Sequence, residues 1–428
     1  MRAPKARLAR LVRLAVVVLL VCSGCGLFSQ GTVVSRAPAA DDADQQPQEA
    51  SPIPIATPDG KPLPDDAIVI GALMASTGLL AVYDEPALVA ARIRIDALNE
   101  AGGLLGRPVV LRLIDSHTEM SSIRNGAEQL LLDGVDMVLM TCDAAFAVPA
   151  LDVLEGSGTL VISPCGTDDS WITGELGERV FSMATPAGTE AMILVELLAD
   201  RGFGTAAVVI DRTSTEAVSV CEQFKREFES TGGRVVGFYR YHSSSPWLLD
   251  PILGGLADRN PEAIVFCGTR LVAPEILTPI RAAGIVQPIF ANSTMDGDFW
   301  IGRVSGVGDF TMLSYASVFQ DTPDPSPAVR ELLAEYLAVT GHRANDGRVV
   351  TGADAIEAYA RAVKRAGTTE PGAVAGELER FDGEELAAGP TTFGPGVHAA
   401  VGRPMRIITL QGPYARYQRI LVPPSLSE

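Results

Sequence analysis

Short, wholly apolar runs recur through this chain, each followed by a longer amphipathic stretch, and this alternation restricts the fold more than any other feature. Residues 67–73 read AIVIGAL, a run without a polar face. A strand apolar on both sides belongs in a parallel sheet covered by helices on both faces. The next stretch places Leu88, Ala91, Ile95 and Leu98 on one helical face, with Pro86 before them and Gly102 and Gly103 after. A helix is therefore expected from Pro86 onward. Apolar runs return at 109–114, 137–140 and 160–162, with helical stretches at 121–132 and 148–155 between them. The pattern then restarts, with strands expected at 206–210, 235–238, 263–266 and 288–290 and helices at 216–229, 251–257 and 274–283. Repeated strand–helix–strand units give open parallel sheets. The expected fold class is α/β, two doubly wound parallel-sheet lobes.

In such sheets ligands collect at the carboxyl ends of the strands. The loops at those ends are 74–78, 141–144, 163–167, 211–215, 268–270 and 292–296. The chain has 428 residues, 34 Lys and Arg against 52 Asp and Glu, and a formal charge of -18. A surface of that sign repels phosphate backbones and anionic lipid headgroups, which disfavours nucleic acid as a partner.

The N-terminus is organised differently. Arg2, Lys5, Arg7, Arg10 and Arg13 precede the apolar segment 14–21 (LAVVVLLV). That order is a secretory signal, and the apolar core is far shorter than the roughly 20 residues a spanning helix needs. Cys22-Ser23-Gly24-Cys25 resembles a bacterial lipobox, with Cys in place of the usual Leu at its first position. The resemblance implies cleavage after residue 24 and lipidation of Cys25. Residues 26–66 are rich in Pro, Gln, Asp, Ala and Ser without apolar periodicity, a solvated linker. The plain alternative is an ordinary signal peptide with incidental cysteines.

Further along, Gly71-Ala72, Thr77-Gly78, Tyr83, Ala91-Arg92 and 99–103 (NEAGG) appear in order, followed by 162–167 (ISPCGT) and 389–393 (GPTTF). With these motifs the chain resembles the leucine/isoleucine/valine-binding family of type I periplasmic binding proteins, over about residues 68–411. The resemblance implies two lobes joined by a three-crossing hinge, with crossings near 183–185, 313–315 and 391–393. It gives residues 67–184 plus 314–392 as the first lobe and 185–313 plus 393–428 as the second. It further implies a monomer that captures a small polar ligand (an amino acid, an amide or a related compound) by hinge closure. Such a protein passes its ligand to ABC permease subunits from the outer face of the cytoplasmic membrane, where its lipid anchor holds it.

The candidate ligand residues are Thr77, Tyr83, Cys142, Asp143, Ala144, Cys165, Gly166, Thr167, Thr215, Thr269, Arg270 and Ser293. By the resemblance, Thr167 is the hydroxyl donor to a ligand carboxylate at a helix start, a location suited to anions. The position after Cys142, commonly Ser in the relatives, is Asp143, which would repel a carboxylate in a poorly hydrated cleft. Ser293 stands where the relatives have the acidic partner of the amino group, with Asp296 nearby. Thr215 and Thr269 stand where they have aromatic walls. These departures leave leucine, isoleucine and valine no better placed than amides, polyamine-like compounds or modified amino acids. Asp143 is either a ligand contact or a helix N-cap, roles that can coexist. Arg270 is either a partner for an acidic group or a surface residue.

Cys142, Cys165, Cys221 and Cys267 permit two disulfides in an exported chain, against buried free thiols. Cys142 and Cys165 follow neighbouring parallel strands, which favours that pairing. His117, His242, His342 and His398 are scattered without paired spacing, and no Gly-x-Ser-x-Gly turn occurs. No cofactor, metal or catalytic residue is expected. The rival readings are a ligand-sensing lipoprotein for a membrane signalling partner and an exported amide-processing enzyme.

Overall fold

The computed structural model describes residues 66–171, 175–320, 322–411 and 414–421, and in it the alternation of apolar run and amphipathic stretch becomes two sheets. The leader 1–24, Cys25 and the linker up to residue 65 lie outside the described residues. The first sheet is built from β1 (Ile68–Met74), β2 (Val109–Asp115), β3 (Met137–Met140), β4 (Leu160–Ser163) and β5 (Val180–Ser182), all parallel. Helices α1 (Ala81–Glu100), α2 (Met120–Leu132) and α3 (Ala144–Ser157) connect its first four strands. In β1 the residues Ile68, Ile70, Ala72 and Met74 enter one core, and Leu73 enters the core on the opposite face. Two covered faces explain why that strand has no polar side.

The second sheet repeats the plan with β6 (Thr205–Asp211), β7 (Arg234–Tyr241), β8 (Ala263–Cys267), β9 (Ile289–Ala291) and β10 (Asp309–Ser314) in parallel. Its helices are α4 (Ala187–Asp200), which leads in from β5, then α5 (Thr215–Ser230), α6 (Asp250–Arg259) and α7 (Ala273–Ala282). In α5, Ser214 accepts a hydrogen bond from the Ala217 amide, and Ala217, Val220, Cys221, Phe224 and Phe228 form the buried stripe. That spacing is the helical period, and the serine cap fixes where it starts.

Both sheets are mixed rather than purely parallel. Strands β11 (Glu384–Leu386), β12 (Gly389–Gly394) and β13 (Val397–Val401), antiparallel to one another in turn with β13 parallel to β5, extend the first, and antiparallel β14 (Met405–Gln411) and β15 (Tyr414–Leu421) extend the second. The chain passes between the sheets after β5, after β10 and after β13. The last passage corrects the sequence reading. Ala399 of β13 pairs with Ser182 of β5, so the first sheet keeps the chain through Val401 and the crossing falls at 402–404, not 391–393. The β12–β13 hairpin returns the chain once more before it leaves.

The segment after β10 also departs from the expected boundary. Helix α8 (Pro327–Thr340) and the start of α9 (Arg348–Ala366) share a core with β6 and β8 of the second sheet, whereas Ala355 to Val363 of α9 pack with β1 and β3 of the first. Helix α9 thus joins both cores, and α10 (Pro371–Leu378) follows it. Where α9 meets α1, a Cβ on Gly352 would lie 2.1 Å from the Ala87 carbonyl oxygen. Only glycine permits that approach. Among the described residues, no helix is long and apolar enough to cross a membrane.

Helix α1 begins at Ala81, one turn before the expected Pro86, which lies inside it. Proline has no amide hydrogen, so the carbonyl four residues earlier, that of Val82, has no helical donor. Arg270, from the loop after β8, supplies one from Nη2 at 2.6 Å.

Candidate functional site

The carboxyl ends of the two sheets face each other, and polar groups from both are buried between them. The 141–144 and 163–167 loops are joined by a disulfide between Cys142 and Cys165, whose Cα atoms are 4.7 Å apart. The Cys142 amide and that of Ala75 donate to the carboxylate of Asp84 at 3.1 and 2.8 Å. Burial pushes Asp84 up to about 6, against the pull of those hydrogen bonds. One oxygen of Asp84 and the two sulfurs lie within 4.8 Å of one another. They are no metal ligand set, because both sulfurs are bonded to each other and a ligand must be a thiolate.

Asp143 is the N-cap of α3 and accepts from the Phe146 amide at 2.9 Å. Ala144, the first residue of α3, is buried. Gly166 leaves room for Trp171, since a Cβ there would lie 2.3 Å from the indole. Thr167 is buried, its hydroxyl donating to the Cys165 carbonyl at 3.3 Å and its amide to Glu216 Oε1 at 3.4 Å. Glu216 is in the first turn of α5, so this contact joins the two lobes. Gln223 of α5 adds another, donating to Asp169 at 2.6 Å.

Two guanidinium groups lie over the Tyr83 ring, that of Arg270 at 4.3 Å and that of Arg348 at 5.3 Å from its centroid. Arg270 is fully buried. It forms an ion pair with Asp346 and donates to the Asp296 and Val82 carbonyls. It is not at the surface, and it ties the second lobe to α1. Arg348 pairs with Asp346 at 3.3 Å and donates to the Ser293 carbonyl at 3.0 Å. Burial works against the Arg348 charge, but Asp346, Glu216 and Asp296 outweigh it and hold its pKa above the ordinary value.

Ser293 donates from its amide and hydroxyl to Glu190 of α4, at 3.0 and 2.6 Å. Burial raises Glu190 to about 7 and Asp296 to about 6, and it pushes the Tyr83 hydroxyl up to about 12. Glu216 stands well above the carboxylate range, first because it is buried, then because Asp143, Asp168 and Glu190 oppose its charge despite Arg348. Among the described residues, the buried hydroxyls of Tyr83 and Thr215 have no hydrogen-bond partner.

Of the sequence-predicted residues, Tyr83, Asp143, Thr167 and Ser293 meet this cluster, and Thr215 begins the helix that carries Glu216. Thr77 is exposed and turns to Asp115 and His117. Thr269 donates to Asp211 at 3.2 Å. Glu190, Glu216, Tyr315, Asp346 and Arg348 were not among the candidate ligand residues of the sequence reading. Glu190 had a signal, being the one acidic residue on the apolar stripe of α4, and Glu216 had another, standing just after a strand-end loop. Arg348 had none, since it starts a helix that follows no strand.

A family model described as periplasmic binding protein matches residues 67–413. The chain is 24% identical over 331 residues to the Leu/Ile/Val-binding protein homolog 3 of Brucella melitensis, an alignment covering 76% of this chain and 87% of that one. The branched-chain amino acid substrate-binding protein LivJ of Streptococcus pneumoniae, solved with isoleucine, superposes with a TM-score of 0.73 at 18% identity, over 83% of this chain and all of that one. A solute-binding protein of an ABC transporter from R. palustris, solved with benzoate, gives 0.71 at 16%, over 85% and 98%. The chain belongs to the periplasmic binding protein family, on the leucine/isoleucine/valine-binding side that its sequence resembles, and is a solute-binding protein rather than an enzyme.

Proposed function

We propose that this protein captures a small polar solute between its two lobes outside the cytoplasmic membrane and delivers it to an ABC importer. The observation that carries this reading is the buried polar cluster to which each lobe contributes: Tyr83, Asp143 and Thr167 from one side, Glu190, Glu216 and Ser293 from the other. Ligand favours a closed form only through contacts that the open form lacks, so groups from both lobes have to reach it. The buried Tyr83 hydroxyl, without a hydrogen-bond partner among the described residues, supports the same reading, because buried polar atoms without partners are costly unless a ligand or water completes them. Lipidation at Cys25 and a linker over 26–66 would hold the folded part near the membrane and clear of it.

The test is a thermal-shift screen of the mature protein against amino acids, amides, amines, urea and aromatic acids, followed by calorimetry on the hits. A bound solute raises the melting temperature by mass action. Saturable one-to-one binding, abolished or weakened by Thr167→Ala, is the expected result. No shift across the whole panel would argue against solute capture.

A further inference from the structure

We infer that the cleft selects a small organic cation, its protonated nitrogen set among Asp143, Glu216 and Tyr83, that carries no carboxylate at the α3 end. This deepens the solute-binding reading and rests on it. The first ground is the occupied helix start. A helix N-terminus is a seat for an anion, but in α3 the carboxylate of Asp143 already accepts from the Phe146 amide at 2.9 Å. The chain has supplied its own carboxylate where a ligand's would sit.

The second ground is the charge balance of the buried cluster. Asp346 and Asp296 face the two guanidinium groups of Arg270 and Arg348. Arg348 also acts on Glu216 and Glu190, but it is shared with Asp346 and Asp296, and among the described residues no Lys, Arg or His forms a close ion pair with Asp143, Asp168, Glu190 or Glu216. Burial favours the neutral form of Glu190 and Glu216; a ligand carboxylate there would disfavour their ionisation further, whereas an ammonium or amidinium would let them ionise and pair with it. The third ground is independent of charge. Among the described residues, the buried Tyr83 hydroxyl and the Nε of Arg348 have no hydrogen-bond partner. The hydroxyl can accept from the cation's N–H groups, and Arg348 Nε can donate to a neutral acceptor such as an amide carbonyl. Tyr315, also buried, lies near Thr167, Ser293 and Glu190.

The experiment compares five probes by calorimetry on the wild type and on Asp143→Ser and Asp143→Asn: L-leucinamide, 3-methylbutylamine, 1,4-diaminobutane, L-leucine and 4-methylpentanoate. Ser and Asn both cap helices as well as Asp does, so α3 keeps its start and folding is preserved. An unchanged melting temperature of the unliganded variants checks this. For the wild type, at least one cationic probe should bind at least about tenfold more tightly than L-leucine and 4-methylpentanoate, a difference of about 1.4 kcal/mol. Both variants should shrink that ratio by about tenfold or more. If L-leucine or 4-methylpentanoate binds as tightly as the amide and amines, or if the ratio survives both substitutions, the charge assignment is overturned and solute capture stands. If no cationic probe binds, the inference is overturned as well. Failure of the wider screen too would remove the solute-binding reading with it.

Discussion

Glu190→Gln should make the protein more stable in base while changing it little in acid. Glu190 is buried in α4 against Ser293, with Arg348, Asp296 and Tyr315 around it, and burial lifts its pKa from 4.5 to about 7 in spite of the Ser293 hydrogen bonds. A carboxyl whose pKa is higher folded than unfolded contributes its full stability below the unfolded value. It loses that stability as pH rises through the folded value. At 1.36 kcal/mol per tenfold in proton affinity, the loss between about pH 4.5 and about pH 8.5 is about 3 kcal/mol for this residue. Glutamine does not ionise, its carbonyl can accept the Ser293 amide, and its amide can donate to a rotated Ser293 hydroxyl. The difference between variant and wild type should therefore grow by about 3 kcal/mol in the variant's favour across that range. Urea unfolding of both proteins at the two pH values, extrapolated linearly to water, gives this difference directly. An equal difference at both pH values, or a gain confined to acid, would show that Glu190 is not held neutral by burial.

Further outcomes follow from the packing and the cross-links. Gly352→Ala places a Cβ 2.1 Å from the Ala87 oxygen and 2.5 Å from its Cα, both backbone atoms, so α1 and α9 must separate. Overpacking of this kind costs about 1–3 kcal/mol, and unchanged urea unfolding would mean the helices are not so close. Cys221 and Cys267 are disulfide-bonded across 46 residues of sequence. Chain entropy alone makes such a loop worth about 4 kcal/mol, so the double substitution to Ala should lower stability by about that amount. Alkylation of the denatured, unreduced protein with peptide mapping should find no free thiol at Cys142, Cys165, Cys221 or Cys267. Labelling at any of them would break that bridge from the account.

The parts of the fold that were legible in the sequence are those where burial leaves a composition signature. Runs such as 67–73 and 206–210 carry no polar face because helices cover both sides, and the stripe from Ala217 to Phe228 keeps the helical period. Signals failed where a local rule was overridden by a distant partner. Pro86 looked like a helix start, and it sits inside α1 because Arg270 meets the carbonyl that proline leaves unpaired. The passage at 402–404 was hidden because β12 and β13 form a hairpin at the edge of the first sheet, and nothing in their residues names the strand beside them. The site was half legible. Asp143 and Thr167 stand at strand ends, where a parallel sheet concentrates its loops, whereas Arg348 reaches the cluster from α9, far along the chain. Its role is set by Asp346 and by the Ser293 carbonyl 55 positions away, and no spacing rule contains that pair.

The central claim is that both lobes grip the same solute, and hydrogen exchange tests it most directly. Backbone exchange would be followed in the free protein and in the presence of saturating solute, taking the tightest binder of the screen. Slower exchange at both 163–167 in the first lobe and 214–218 in the second is the predicted result. Protection confined to one of these segments, or to neither at full occupancy, would contradict capture between the lobes.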